Sequence, residues 1–187
     1  MITPGSRFFR AVAFFSLLIF GAAAAHAAHH EKAMAPVGFK AIVVLVEGND
    51  SGVSGTVTFE QTAKGVRVVA DVMGLTPGKH GFHVHQKGDL SAANLTSTGG
   101  HYNPAGHDHA GPMAAKRHVG DLGNLTADAS GHATADFVDT ELALAGDHSI
   151  IGRGVIVHAG EDDLTSQPTG AAGGRVAGGV IGIIGMP

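Results

Sequence analysis

Apolar and polar residues alternate along most of the chain after about residue 38. In residues 54–61 (SGTVTFEQ), Val57 and Phe59 alternate with threonines and Glu60, and residues 65–74 repeat this period of two. Side chains point alternately to the two faces of a strand, so this period predicts half-buried β-strands.

Six further short segments have the length and composition of strands. Turn sequences rich in glycine, proline or asparagine separate them, such as Gly48-Asn49-Asp50 and Pro77-Gly78. No convincing amphipathic helix appears. Eight short strands predict an all-β fold, an eight-stranded antiparallel barrel or sandwich. The six segments are FKAIVVLVEG, HGFHVHQ, 122–128, 132–138, 152–158 and 175–183.

Two long segments, residues 88–117 and 159–174, interrupt this pattern. The first has no hydrophobic period and is rich in Gly, Ala, Ser, Asn, Pro and His. A loop of this length in a compact domain is usually functional or disordered. Because histidines flank both segments, we predict two functional loops carried by a rigid set of strands.

Composition narrows the possible functions. The chain has 12 Lys and Arg against 16 Asp and Glu, a net charge of −4. It has no basic stripe, which argues against a nucleic-acid partner. The absence of cysteine excludes disulfides, thiolate zinc sites and iron–sulfur clusters. Any metal site must therefore use nitrogen and oxygen ligands.

Residues 1–27 are predicted to be a signal peptide. Arg7 and Arg10 precede the apolar stretch 11–25, and Ala25-His26-Ala27 fits a small-x-small cleavage site. The apolar stretch is short for a membrane span, and an uncleaved anchor is the alternative.

The signal peptide implies a domain plan and a location. Residues 28–36 are expected to be a flexible N-terminal segment, and residues 37–187 form the domain. Export to a bacterial periplasm is expected, with an extracellular location as the alternative, and no stable membrane insertion is expected after cleavage. After cleavage, Ala28-His29-His30 would be a polar tail or a Cu(II) chelate.

The chain contains 13 histidines, and histidine is the commonest metal ligand. His83 and His85 lie two residues apart on a predicted strand, so both rings point to one face and could bind one metal. The His-x-His pattern alone is weak evidence. His158 ends another strand, where it is either a structural histidine or a further ligand for the same metal.

A second set of possible ligands follows within a short stretch of the chain. Three imidazoles and one carboxylate suit a closed tetrahedral zinc site. Binding there would also order the long loop, because binding energy becomes folding energy. The alternative is a polar loop with solvated histidines. The residues are His101, His109, His118 and Asp121.

Five segments resemble copper/zinc superoxide dismutase, in the order in which that family has them. Together they cover about residues 38–184. The resemblance implies an eight-stranded Greek-key barrel that binds copper and zinc and converts superoxide to dioxygen and hydrogen peroxide. It also allows a homodimer. The segments are GFHVHQKGD, GGHYNPAGHDH, KRHVGDLGNLTAD, GDHSIIGRGVIVHAGEDDL and GGRVAGGVIGI.

The resemblance also implies a role for each matching residue. Asp162 would link His83 to His109, Arg175 would guide and hold superoxide, and Thr169 would narrow the channel. His101 would bridge the two metals, leave copper on reduction and take up a proton. The implied copper ligands are His83, His85, His101 and His158, and the zinc ligands are His101, His109, His118 and Asp121.

The chain departs from the family at the usual cysteine pair. Gly178 replaces one cysteine, and Leu90 or Leu95 replaces the other. We therefore expect zinc to be the remaining clamp on the long loop and Arg175 to be less well preorganised. Loop 159–174 has no lysine, so steering of superoxide would be weaker or would come from Lys79 or Lys116.

A non-enzymatic copper or zinc buffer on the same fold is the competing hypothesis, because a fold alone does not give a function. A buffer would not need Arg175 or a bridging imidazole. A purely structural domain would leave the histidines unexplained. His107 is expected to be solvated or to compete for zinc, His80 to be structural, and His132 and His148 to lie on the surface.

Overall fold

A computed structural model of the chain describes Met1 and residues 34–185. Residues 34–185 lie within one compact unit, Glu31–Pro187. Apart from Met1, the predicted signal peptide lies outside the described residues, and so do residues 28–33 of the predicted flexible segment. Among the described residues, no helix is long and apolar enough to cross a membrane.

The described part of the chain folds into antiparallel strands, with one short 3₁₀ helix at Thr96–Thr98 and no α-helix in residues 34–185. The predicted all-β fold is confirmed. The strands are β1 Lys40–Glu47, β2 Ser54–Thr62, β3 Gly65–Met73, β4 Gly78–His85, β5 Asp121–Ala127, β6 Ala133–Asp139, β7 Gly154–His158, β8 Arg175–Val180 and β9 Gly182–Gly185.

The strands form a nearly closed barrel with Greek-key crossovers. Their order is β5-β4-β7-β8-β1-β2-β3-β6, with β9 paired to β1. The non-consecutive neighbours are β4 beside β7, β8 beside β1, and β3 beside β6. Strands β5 and β6 end the order and contact each other, which brings the two edges of the sheet together.

The predicted last strand, 175–183, is two strands that meet at Ile181. The Ile181 side chain is buried. Its backbone N–H donates to Arg153 O and its carbonyl accepts from Gly152 N–H, both at 2.9 Å. These bonds to the turn before β7 take Ile181 out of the ladder, and β9 then pairs with the start of β1. The eight strands of the barrel order thus agree with the eight that the sequence predicts, and β9 is a short additional strand paired to β1 outside that order.

Burial along the strands follows the predicted period of two. In β2, Val57 and Phe59 are fully buried while their neighbours are not. Strand β4 differs because it is buried on both faces from His80 to His85. Phe82 belongs to the apolar core, whereas His83 lies on the other face and is equally buried. The two long loops cover that face, so the buried histidines of β4 lie between the barrel and the loops.

A buried ion pair anchors the end of the first long loop. Arg117 donates to Asp139 at 2.6 Å, and both side chains are 3% exposed. The same guanidinium donates to the carbonyl oxygens of His118, Val119 and Asp121. One arginine therefore joins the end of β6 to the stretch that leads into β5.

We predict that Asp139→Asn will cost about 3–5 kcal/mol of unfolding free energy, because it leaves a buried guanidinium without its charged partner. The matched control is Asp136→Asn. Asp136 pairs with Arg67, also at 2.6 Å, but both side chains are about half exposed. Its loss should cost about 0.2–1 kcal/mol. Urea unfolding measures both, and equal losses would contradict this account of the buried pair.

Candidate metal centre

Two groups of donor atoms meet beside β4, and His101 belongs to both. Within each group the four donor atoms lie within 4.8 Å of one another, and every residue is buried. The structure thus brings together all seven residues that the sequence predicts as metal ligands. The first group is His83, His85, His101 and His158, and the second is His101, His109, His118 and Asp121.

Strand pairing places the first group. Strands β4 and β7 are antiparallel neighbours, which brings His158, at the end of β7, close to His83 and His85. His101 is added by an isolated β-bridge to His85, although it lies in the first long loop. Asp121 opens β5 directly opposite His83. Both groups therefore depend on the register of β4.

The rings of the first group present lone pairs to a common point. His83 Nε2–H donates to Asp162 Oδ2 at 2.8 Å, His85 Nδ1–H to Gly99 O at 2.8 Å, and His158 Nδ1–H to Gly173 O at 3.1 Å. The other nitrogen of each neutral ring must then carry a lone pair.

The inward nitrogens have no proton donor between them. His85 Nε2 and His158 Nε2 are 3.4 Å apart, and His83 Nδ1 and His101 Nε2 are buried without a hydrogen-bond partner. Converging lone pairs repel one another, and a cation at their centre relieves the repulsion. Four imidazole nitrogens suit copper or another borderline metal ion. The residues present therefore fit a metal ion.

Burial keeps these rings neutral. It lowers the pKa of His83 to about 4, since the hydrogen bond to Asp162 opposes the effect only in part. It lowers the pKa of His158 to about 3 and that of His85 well below its usual value. Neutral imidazole is the form that binds metals, so at neutral pH little proton competition is expected at these three ligands.

The second group centres on one carboxylate oxygen. Asp121 Oδ1 lies 2.8 Å from His101 Nδ1, 3.0 Å from His109 Nδ1 and 3.2 Å from His118 Nδ1. Burial alone would raise the pKa of Asp121, but the hydrogen bond from His101 and the neighbouring ring of His109 lower it, so the carboxylate stays ionised. One carboxylate and three imidazoles suit tetrahedral zinc.

Asp162 connects the two groups through hydrogen bonds. Its Oδ2 accepts from His83 and its Oδ1 accepts from His109 Nε2 at 2.9 Å. Asn124 holds the Asp162 backbone with bonds of 2.8 and 2.9 Å. Such outer contacts set the tautomer and the orientation of ligand rings.

Burial alone would lower the pKa of His109, but Asp121 and Asp162 raise it to about 9, so a metal ion there must displace a proton.

Arg175 lies at the start of β8, next to the first group. Its guanidinium donates to Leu95 O, to Thr98 Oγ1 at 2.8 Å and to Gly99 O at 2.7 Å. Gly99 O also accepts from His85, so a single carbonyl separates the arginine from a ring of the first group. No carboxylate among residues 34–185 forms a salt bridge with Arg175, so no described carboxylate compensates its charge.

Three hydrogen bonds give the Arg175 guanidinium a defined orientation. That it is less well preorganised than in relatives with the disulfide stays a prediction. Two of the three acceptors are backbone carbonyls, which leave no side-chain pattern in the sequence. The roles of Leu95 and Gly99 in holding Arg175 therefore could not be predicted from the sequence.

The structure settles which leucine packs against Gly178. Leu95 is 2% exposed, and a Cβ added at Gly178 would lie 3.1 Å from its Cδ1, whereas Leu90 is only half-buried. Leu95 adopts a left-handed backbone with φ of 59°. That conformation costs about 1–2 kcal/mol, and burial of a leucine side chain contributes about 1.5–3 kcal/mol.

The other four histidines among residues 34–185 lie outside both groups. His80 contacts two carbonyl oxygens, those of His158 and Thr76, both at 2.8 Å, as expected for a structural residue. His107 Nδ1 faces Arg117 O at 3.2 Å and is half-buried. His132 contacts Asp71 and is half-buried, while His148 is exposed.

Lys79, a predicted source of steering, and Thr169, predicted to narrow the channel, also have defined surroundings. Lys79 Nζ lies 2.7 Å from Glu161, so a carboxylate compensates its charge. Thr169 is half-buried on the second loop.

We predict that Gly170→Ala will weaken zinc binding by about 10–100-fold, the usual effect of disturbing an outer partner of a ligand. Gly170 has φ of 66°, and its Cβ would lie 1.8 Å from Asp162 Oδ1 and 2.7 Å from His109 Nε2. The control is Gly173→Ala, which has φ of 79° but nothing within 4 Å of its Cβ. Chelator competition measures the zinc affinity of both variants. Equal zinc affinities in Gly170→Ala and Gly173→Ala would show that the clash with Asp162 and His109 does not weaken zinc binding.

Comparison with known proteins agrees with this arrangement. The family model described as copper/zinc superoxide dismutase (SODC) matches residues 53–181, a span that includes both donor groups, Asp162 and Arg175. A solved structure described as "Crystal Structure Analysis of the clock protein EA4" is 46% identical, covers 80% of this chain and 97% of that one, and has a TM-score of 0.72. The chain belongs to the copper/zinc superoxide dismutase family.

Proposed function

We propose that this protein dismutates superoxide at a copper ion joined to a zinc ion through His101. The first donor group would hold copper and the second zinc. Family membership and the chemistry of the two donor sets support the proposal. The copper ligands would be His83, His85, His101 and His158, and the zinc ligands His101, His109, His118 and Asp121.

The shared ring of His101 is the observation that carries the proposal. Its Nδ1 lies 2.8 Å from Asp121 in the second group, while its buried Nε2 has no hydrogen-bond partner. The ring also stacks on His83, with centroids 3.9 Å apart. A ring with one nitrogen committed to each group couples the two sites, and simple metal storage gives no reason for such coupling.

Copper, when bound, supplies a one-electron couple, so that two superoxide ions and two protons become dioxygen and hydrogen peroxide. The protein contributes charge and position. Arg175 attracts the anion and presents N–H donors whose direction is already set, which avoids reorganisation during the reaction. His101 Nδ1 belongs to the second group, so Nε2 would be the ring nitrogen left to hold a proton once that group is occupied.

A non-enzymatic copper or zinc buffer is the second candidate. The similar solved structure is described as a clock protein, and that wording includes no activity. The 13 histidines also suit metal storage. Arg175 argues for the enzyme, because a buffer needs affinity for metal and has no use for a positioned cation beside it.

Export to the periplasm, or to the outside of the cell, is the proposed location. The basic and apolar pattern of residues 1–27 supports it.

A homodimer is also part of the proposal, since Val44, Val180 and Ile183 expose apolar side chains on β1, β8 and β9. Mass analysis of the mature protein and sedimentation would test both. A purified protein that retains residues 1–27 would count against export. A strictly monomeric protein would count against the homodimer.

We predict that His83→Ala will reduce dismutation by the metal-loaded protein to the background given by free copper. The change removes one inward nitrogen and the hydrogen bond to Asp162. His148→Ala, at an exposed histidine, is the control and should keep full activity. Rapid-mixing kinetics with superoxide measure both. If fully loaded wild-type protein is no faster than free copper, the protein is not a dismutase.

Zinc removal should lower the melting temperature, because the second donor group joins the first loop to the start of β5. A ligand present at 1,000 times its Kd stabilises a fold by about 4 kcal/mol, which for a domain of this size is about 10 °C. Reducing agents should have no effect, since the chain has no cysteine. Calorimetry with a zinc chelator measures the shift. An unchanged melting temperature would show that zinc does not clamp the loop.

A further inference from the structure

The position of the Arg175 guanidinium depends on one short segment of the first loop. Each of its three described hydrogen bonds ends on the stretch from Leu95 to Gly99. Because no carboxylate among residues 34–185 pairs with Arg175, this segment is what sets the direction of its charge. Whatever fixes the segment therefore fixes the arginine.

Backbone bonds fix the far end of the segment. Lys87 N–H donates to Thr98 O at 3.0 Å, and Gln86 N–H donates to Gly100 O at 2.9 Å. Near the other end, Asn49 N–H, in the turn after β1, donates to Ala93 O at 3.0 Å. Leu95 itself has no backbone–backbone bond to a strand, and a chain without cysteine cannot hold it covalently. The side chain of Leu95, 2% exposed and packed at two glycines, adds an apolar contact between this end and the barrel.

Two glycines form a slot for that side chain. A Cβ added at Gly48 would lie 2.8 Å from Leu95 Cδ1, and one added at Gly178 would lie 3.1 Å from the same atom. Gly48 directly follows β1, and Gly178 pairs with Val46 of β1 from the neighbouring β8. The slot exists because neither glycine has a side chain, and Leu95 fills it.

The backbone at Leu95 links the slot to the arginine. Its left-handed conformation, with φ of 59° and ψ of 13°, begins the short 3₁₀ helix. The Leu95 carbonyl accepts from Arg175 Nη1 and from Thr98 Oγ1, the latter at 2.8 Å. Packing of the side chain thus determines where this carbonyl lies.

We propose that Leu95 is a positioning residue for Arg175. Its side chain, held between Gly48 and Gly178, keeps the carbonyl in place, so that an apolar contact sets the direction of the cation beside the first donor group. The effect on dismutation rests on the proposed function, whereas the effect on Arg175 itself does not.

The test compares Leu95→Ala with Leu90→Ala, the same change at a half-buried leucine of the same loop. Arg175 modification by phenylglyoxal, followed by peptide mass mapping, reports how firmly the guanidinium is held. Leu95→Ala should make this modification several-fold faster and lower kcat/KM for superoxide about tenfold, because a small displacement of a positioned group is costly. Copper and zinc content should not change. Leu90→Ala should match the wild type in modification rate, in kcat/KM and in metal content.

Two further variants separate packing from backbone strain. Glycine adopts the left-handed conformation freely, so Leu95→Gly relieves any strain but empties the slot, and it should behave like Leu95→Ala. Leu95→Met refills the slot and should restore most of both readouts. These two variants carry the test if circular dichroism shows that Leu95→Ala does not fold.

Unchanged phenylglyoxal rates in Leu95→Ala and Leu95→Gly would overturn the proposal. If wild-type protein proves inactive, the proposed function fails, and the modification rates still decide the role of Leu95.

Discussion

His101 is held between two sets of ligands, and the rest of the site is arranged around that constraint. Its Nδ1 faces a buried, ionised aspartate, and its Nε2 is left buried without a partner. A polar atom in that position is costly unless something satisfies it. Three other rings turn their lone pairs toward the same region, so the folded protein without metal carries an electrostatic cost that a cation removes.

The barrel supports this constraint through the register of β4 and through hydrogen bonds from the loops. The backbone bonds of β4 place His83 and His85 on the face opposite the core. Asp162, held by Asn124, orients one ring from each donor group. Rigid strands thus provide the positions and the loops provide the orientations. The loops need close packing at glycines such as Gly170, where a Cβ has no room.

Much of this could be predicted from the sequence, because it depends on side-chain type and period. Alternation gave the strands, and the spacing of His83 and His85 placed both rings on one face. The split at Ile181 could not be predicted, because it results from backbone bonds to the turn before β7. The hydrogen bonds that orient Arg175 could not be predicted for the same reason, since Leu95 and Gly99 accept them through backbone carbonyls. The choice between Leu90 and Leu95 needed three-dimensional packing against Gly178.

The most direct test of the central claim is whether His101 joins two metal ions. The protein would be loaded with Cu(II) in the first site and Co(II) in the second, and its electron paramagnetic resonance spectrum recorded at low temperature. Two paramagnetic ions bound to one imidazole interact magnetically, so we predict that the Cu(II) signal is strongly reduced when one equivalent of Co(II) is present. A normal, undiminished Cu(II) signal with both ions bound would contradict the account.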